Sequence, residues 1–221
     1  MPAAHDPALA HPLGEAVILT HGMWMGGWAM QVLRLLLSRR GYAAGTFDYP
    51  SLSRGLDEHA RRLAARIAEL RQPKIHLVGH SLGGLVILRC LKNYGEQNIG
   101  RIVLMGTPAR GCMAGLRAEN MALVKRLLGV NRALWRSLPE DYRPQCELGV
   151  IAGSRPWGIG SLLMRLPGAN DGVVRVEETE VAGMRERIVL PVSHTGMLAS
   201  ARVAREVAHF LERGAFAQES S

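Results

Sequence analysis

The sequence predicts a single α/β domain: a mostly parallel central sheet with helices on both faces and a short helical insert. Three observations lead there. Short apolar, β-rich runs alternate with longer stretches of helical periodicity along the whole chain, the pattern of successive βαβ units with right-handed crossovers. One run, residues 75–79 (IHLVG), is too apolar to keep a wet face and belongs in the middle of a sheet covered on both sides. The chain has 221 residues, 48% hydrophobic and 21% charged, which is ample for one buried core and short for two domains.

Taken in order, residues 16–20 (AVILT) form the first strand and run into the loop HGMWMGG. Trp28, Val32, Leu35 and Leu36 then recur at helical spacing, with Gly41 where a C-cap belongs. Residues 43–50 (AAGTFDYP) are the second strand, stopped by Pro50. Leu56, Ala60, Leu63, Ile67 and Leu70 step by four and three, marking an amphipathic helix that ends before Pro73. After the apolar strand at 75–79 comes a helix over 82–94, closed by Gly95, and then a strand over 101–108.

Residues 109–146 read as a mostly helical insert or small cap, with apolar contacts from Leu116, Met121, Leu123, Val124, Leu127 and Leu128. A strand over 147–153, a long loop, a strand over 186–192 and a closing helix over 197–213 complete the domain. The domain is expected over 14–213, with loose tails at 1–13 and 214–221.

Composition excludes several classes of protein. The formal net charge is +8 and the basic excess is nearly all arginine, spread along the chain with no run of five. That is a solvated, arginine-rich surface and not a nucleic-acid interface. The three cysteines, Cys90, Cys112 and Cys146, are too few and too irregular for a disulfide framework or a zinc site. Cys90 reads as core, while Cys112 and Cys146 bracket the insert and could pair. The first sixteen residues lack the basic start and apolar run of a secretory signal. The uncharged stretch 16–33 is broken by polar residues and glycines, and reads as strand, loop and helix instead of a membrane span. The expected location is cytoplasmic.

The chemistry concentrates at Gly79-His80-Ser81-Leu82-Gly83, followed by Gly84. A G-x-S-x-G sequence between a buried strand and an apolar helix is a nucleophile elbow. The turn is so tight that side chains at the flanking positions would strike the neighbouring strand and helix. Glycine stands there for that reason, and the strained serine is lifted above the sheet edge. The helix N-terminus adds a field that favours negative charge.

With this elbow, an HG loop after the first strand, a late aspartate and a later histidine, the chain resembles the α/β-hydrolase superfamily, in particular its compact serine esterases and lipases. The resemblance runs from about residue 15 to 213. It implies Ser81 as nucleophile and His194, directly after the last strand, as general base. It implies Asp171, in Asn170-Asp171-Gly172, as the acid that orients His194; alone, the same aspartate reads as a turn former. Asp48 is the second choice for the acid. The oxyanion donors would be the main-chain N–H groups of Met23 and Leu82, with His21 buttressing the first loop.

The implied reaction is hydrolysis of a carboxylic ester through an acyl-enzyme, with no cofactor and no metal. Acyl transfer or thioester cleavage would use the same residues, and a non-catalytic binding protein on this fold is the reading from another class. Met23, Trp24, Met25 and Trp28 in the first loop, and Trp157, Ile159, Leu162, Leu163, Met164 and Leu166 before Asp171, either line a pocket for an acyl or aromatic group or form local core. Trp24, Trp157 and Met164 are the candidate substrate contacts. The expected partner is a small-molecule ester or lipid-like substrate and not nucleic acid. Basic charge beside tryptophans also fits weak association with an anionic membrane surface.

Overall fold

The computed structural model describes residues 14–118, 142–157 and 166–217. Six strands form one sheet: β1 Glu15–Thr20, β2 Ala43–Phe47, β3 Lys74–His80, β4 Ile99–Met105, β5 Leu148–Gly153 and β6 Glu186–Leu190. Their order is β2-β1-β3-β4-β5-β6, and every pairing is parallel. The chain builds outward from β1 to β2, returns to β3, and then builds outward the other way. The order therefore reverses between β1 and β3. In open parallel sheets ligands bind at that reversal, beyond the carboxyl ends of the strands. The loop after β1 and the turn after β3 meet there, with Thr20 in register with Gly79.

Side-chain alternation on the strands divides the core in two. Ala16, Ile18, Ile75, Leu77, Ile102 and Leu104 face one way and are covered by α2 (Leu56–Glu69) and α3 (Leu82–Tyr94). Val17, Leu19, Val78, Val103 and Met105 face the other way and are covered by α1 (Gln31–Ser38) and α5 (Ala201–Arg213). β3 is buried on both sides, as its composition requires. On α1 the inward residues are Leu33 and Leu37, with Met30 just before them, whereas Val32 and Leu35, whose spacing marks the helix, face outward.

Most boundaries fall within two or three residues of the sequence reading. The second strand ends at Phe47 and leaves Asp48 just beyond it. The closing helix is shorter than expected. Residues Gly196–Ala199 form a separate 3-10 turn, and α5 starts only after Ser200. Ser200 is extended, and its hydroxyl accepts a hydrogen bond from the Val203 N–H at 3.3 Å. That cap satisfies an otherwise orphaned donor and restarts the helix.

Beyond α5, where a loose tail was expected, Phe216 is buried against Phe210 with ring centroids 4.8 Å apart. Glu186 and Glu206 each accept a main-chain N–H, from Phe216 and Ala217, at 2.8 Å. Of the expected helical insert, α4 (Met113–Ala118) is described. Met121, Leu123, Val124, Leu127 and Leu128 lie outside the described residues, as do Ile159, Leu162, Leu163 and Met164. All three cysteines are unbridged, so Cys112 and Cys146 do not pair. No described helix is long and apolar enough to cross a membrane.

Candidate active site

Ser81 sits between β3 and α3 with φ 53° and ψ −121°. A non-glycine residue held there is strained and persists only when its surroundings over-determine it. The surroundings do so. The Ser81 N–H donates to the Met105 carbonyl on β4 at 2.9 Å, and the Ser81 carbonyl accepts from Gly84 N–H at 3.0 Å. A Cβ on Gly79 would come within 2.6 Å of the Gly84 Cα, and one on Gly83 within 2.3 Å of the Thr20 carbonyl oxygen. Backbone cannot yield at such distances. The Thr20 hydroxyl ties the junction further, reaching the carbonyls of Val78 and Gly83 at 3.2 and 3.1 Å.

The structure brings Asp171 and His194 together. The His194 Nδ1–H donates to Asp171 Oδ2 at 2.8 Å, and the His194 main-chain N–H donates to the Asp171 carbonyl at 2.9 Å. Both side chains are buried. Asp171 Oδ1 accepts from Val173 and Val174 N–H at 2.9 and 2.7 Å. The turn reading and the His-partner reading of this aspartate therefore hold together, one on each oxygen. With Nδ1 committed to the carboxylate, Nε2 is the His194 nitrogen left to accept a proton.

The end of β4 sets this pair beside the elbow. Met105 receives the Ser81 N–H, and a Cβ on the next residue, Gly106, would lie 3.1 Å from both Asp171 Oδ2 and His194 Nδ1. His80 supplies a second link. Fully buried, it donates Nε2–H to the His194 carbonyl at 2.9 Å, and its ring packs on the His194 ring at 4.7 Å. Burial, aided by the neighbouring His194, pushes its pKa down to about 3, so His80 is neutral. The motif could not show this role. The position between glycine and serine is unspecified in the pattern, and the partner lies 114 residues away.

On the other side, a Cβ on Gly22 would be 3.2 Å from the Ser81 Cβ, so the first loop lies against the nucleophile. His21 clamps that loop. Its Nδ1 donates to the Gly22 carbonyl at 2.8 Å, and its Nε2 lies 3.0 Å from Asp48 Oδ1. Tyr49 stacks on the His21 ring at 4.3 Å and donates its hydroxyl to the His21 carbonyl at 2.6 Å. Burial raises the Tyr49 phenol pKa and keeps it protonated as a donor. Asp48 thus partners His21 and not His194. Met23 and Leu82 are both buried. Leu82 opens α3, and the N–H of a first helical residue has no intrahelical carbonyl to bond.

The tryptophans of the candidate pocket are on the surface. Trp24 and Trp157 are exposed, with the Arg155 guanidinium 5.1 Å from the Trp157 ring. The Trp157 main chain lies against Gly172, next to Asp171, where a Cβ would be 3.2 Å from the Trp157 carbonyl oxygen. Met25 packs into the core beneath α1 and α5, and Leu166 packs on Cys112, Ala114 and Val174, so these two are local core. Met164 lies outside the described residues. The remaining described histidines hold structure. His76 donates to Glu15 and accepts from the Arg101 N–H, His59 packs on Tyr49, and His209 caps the Ala215 carbonyl. No cluster of His, Cys, Asp or Glu among the described residues is arranged to hold a metal ion.

Residues 17–157 match the alpha/beta hydrolase family, and the chain belongs to it. Several solved structures share the fold. A lipase of Bacillus licheniformis is 20% identical, with 98% of this chain and 96% of that chain covered and a TM-score of 0.73. A thermophilic esterase of Thermogutta terrifontis is 16% identical over 90% of each chain, with a TM-score of 0.67. Phospholipase PlaB of Legionella pneumophila is 12% identical over 91% of this chain and 60% of that one, with a TM-score of 0.70. No curated protein matches the chain.

Proposed function

We propose that the protein is a serine-dependent carboxylic ester hydrolase of the esterase or lipase type. The observation that carries this reading is the buried Asp171–His194 contact set, through Met105 and Gly106, beside the strained Ser81. A lipase, an esterase and a phospholipase among the structures sharing the fold support ester chemistry. Ser81 Oγ attacks the ester carbonyl while His194 Nε2 takes its proton. Asp171 holds the tautomer and stabilises the imidazolium. The oxyanion is met by the N–H groups of Leu82 and Met23, each such donor lowering the barrier by about 3 kcal/mol. The alcohol leaves with the proton from His194, and a water activated by the same nitrogen then releases the acid. Trp24 and Trp157 would contact the acyl or alcohol group at the mouth.

A fluorophosphonate probe and a p-nitrophenyl ester test the proposal. The wild-type protein should be labelled and should turn over the ester; Ser81→Ala should lose both while melting as a folded protein. Turnover surviving in purified Ser81→Ala would overturn the assignment of the nucleophile. A wild-type protein that neither labels nor hydrolyses would indicate a binding protein.

A further inference from the structure

Large apolar side chains face solvent in one concentrated stretch. Trp24 is 56% exposed, Trp28 73%, Val32 45% and Leu35 50%. Trp28, Val32 and Leu35 recur at i, i+4 and i+7 and so form one stripe along the 3-10 turn Gly27–Met30 and α1. The opposite face of the same segment, Met30, Leu33 and Leu37, is already in the core. A helix that is apolar on both faces normally has both covered. Single exposed hydrophobics need no explanation, but a contiguous stripe does.

Charge says what covers it. No aspartate or glutamate occurs between residues 16 and 47, whereas Arg34, Arg39 and Arg40 do. Arg39 continues the stripe one turn beyond Leu35, and both Arg39 and Arg40 are exposed. α5, packed beside α1 over the same core, exposes Arg205 together with a Glu212–Arg213 ion pair, so it adds net positive charge. Asp48, the first acid after this stretch, is bonded by His21 and by the Gly27 N–H. Tryptophan at one end of an apolar stripe and arginines at the other suit the boundary between headgroups and acyl chains.

We propose that this stripe on α1, with Trp24 and Trp28 at its head and Arg39 and Arg40 at its foot, is a docking face for an anionic phospholipid surface. The stripe starts one residue past Met23, so docking would set the entrance of the candidate site at the lipid boundary. The proposal does not depend on the hydrolase reading, because binding can be measured without turnover.

The test is flotation of the full chain with vesicles of phosphatidylcholine alone and of phosphatidylcholine mixed with phosphatidylglycerol, at low and high salt. The wild type and Ser81→Ala should float equally with the mixed vesicles, and high salt should weaken both. Val32→Ser/Leu35→Ser should lower the partition by about tenfold or more, while leaving hydrolysis of a soluble ester unchanged. Arg39→Gln/Arg40→Gln should lower it about fivefold per arginine on mixed vesicles only. Three results would each overturn the proposal: no flotation of the wild type, flotation of the serine double variant equal to wild type, or a wild-type dimer in sedimentation that the serine variant converts to monomer. The last would show that a second copy covers the face.

Discussion

Acidification interrogates the elbow most directly, through His80. This ring is fully buried, its Nε2–H is committed to the His194 carbonyl, and burial pushes its pKa from 6.5 down to about 3. Between those values the unfolded chain binds a proton that the folded chain refuses. Stability therefore rises with pH across this window and is lost on acidification, by about 1.4 kcal/mol per pH unit for one group. From neutral pH to about pH 4.5 the loss from His80 alone is about 3 kcal/mol, a large share of an ordinary domain's stability. His59, buried against Tyr49 and pushed down to about 4, acts in the same direction. Glu15, Glu96 and Glu147 are held below their ordinary value of 4.5, so the stability they contribute is lost only under more acidic conditions. Urea unfolding at stepped pH, with wild type and His80→Gln side by side, isolates the effect. Glutamine can still donate to the His194 carbonyl but does not titrate. The stability gap between the two proteins should change in the variant's favour by about 1.4 kcal/mol for each pH unit below 6.5. Parallel curves over that range would refute the claim that His80 is held neutral by its burial.

Asp171→Asn should lower kcat by roughly 10³–10⁴-fold, because an amide donating to Nδ1 would fix the tautomer whose Nε2 cannot accept a proton; kcat within tenfold of wild type would remove Asp171 from the proposed machinery. Asp48→Ala, which unties His21 and the first loop, should cost less than about tenfold in kcat/KM, as expected of a residue that acts on catalysis only through another; a loss equal to that of Asp171→Asn would restore it as the acid. Gly83→Ala would drive a methyl to 2.3 Å from the Thr20 carbonyl oxygen. It should destabilise the fold by about 3 kcal/mol or more, seen as a fall in Tm of about 6–12 °C; an unchanged melt would mean that the β1–α3 contact is looser than described.

Periodicity carried most of the fold because the two core layers are written in the strands themselves. Ala16 and Ile18 face one layer and Val17 and Leu19 the other, so an apolar run with no wet face already implies a sheet covered twice. The elbow was legible for a related reason: its glycines answer to backbone atoms 2.3–2.6 Å away, and only one residue type fits. What depends on contact across the chain was not legible. His80 and His194 are joined by a hydrogen bond to a main-chain carbonyl, which leaves no trace in residue spacing. The outward stripe on α1 was hidden because helical spacing marks a helix without saying which face is buried. Residues 30, 33 and 37 satisfy the same period as 28, 32 and 35. Residues 214–217, the described part of the tail expected at 214–221, gave no sign of order because their anchors, Glu186 and Glu206, are side chains from distant elements that accept main-chain N–H groups.

The proposed machinery is referenced to main chain more than to side chains. Ser81 hangs from the Met105 carbonyl, the Asp171–His194 pair abuts Gly106, His194 is tied twice to Asp171, and His80 grips the His194 carbonyl. The first loop obeys the same rule: His21 bonds the Gly22 carbonyl and Tyr49 the His21 carbonyl. Parallel strands β1, β3 and β4 carry these anchors at their carboxyl ends, and the hydrogen-bond ladder between them keeps the anchors in register. It follows that the core can vary in side-chain volume at some cost in stability without scattering the site. Changes at Gly79, Gly83, Gly106 or His80, which touch the anchors themselves, must move it.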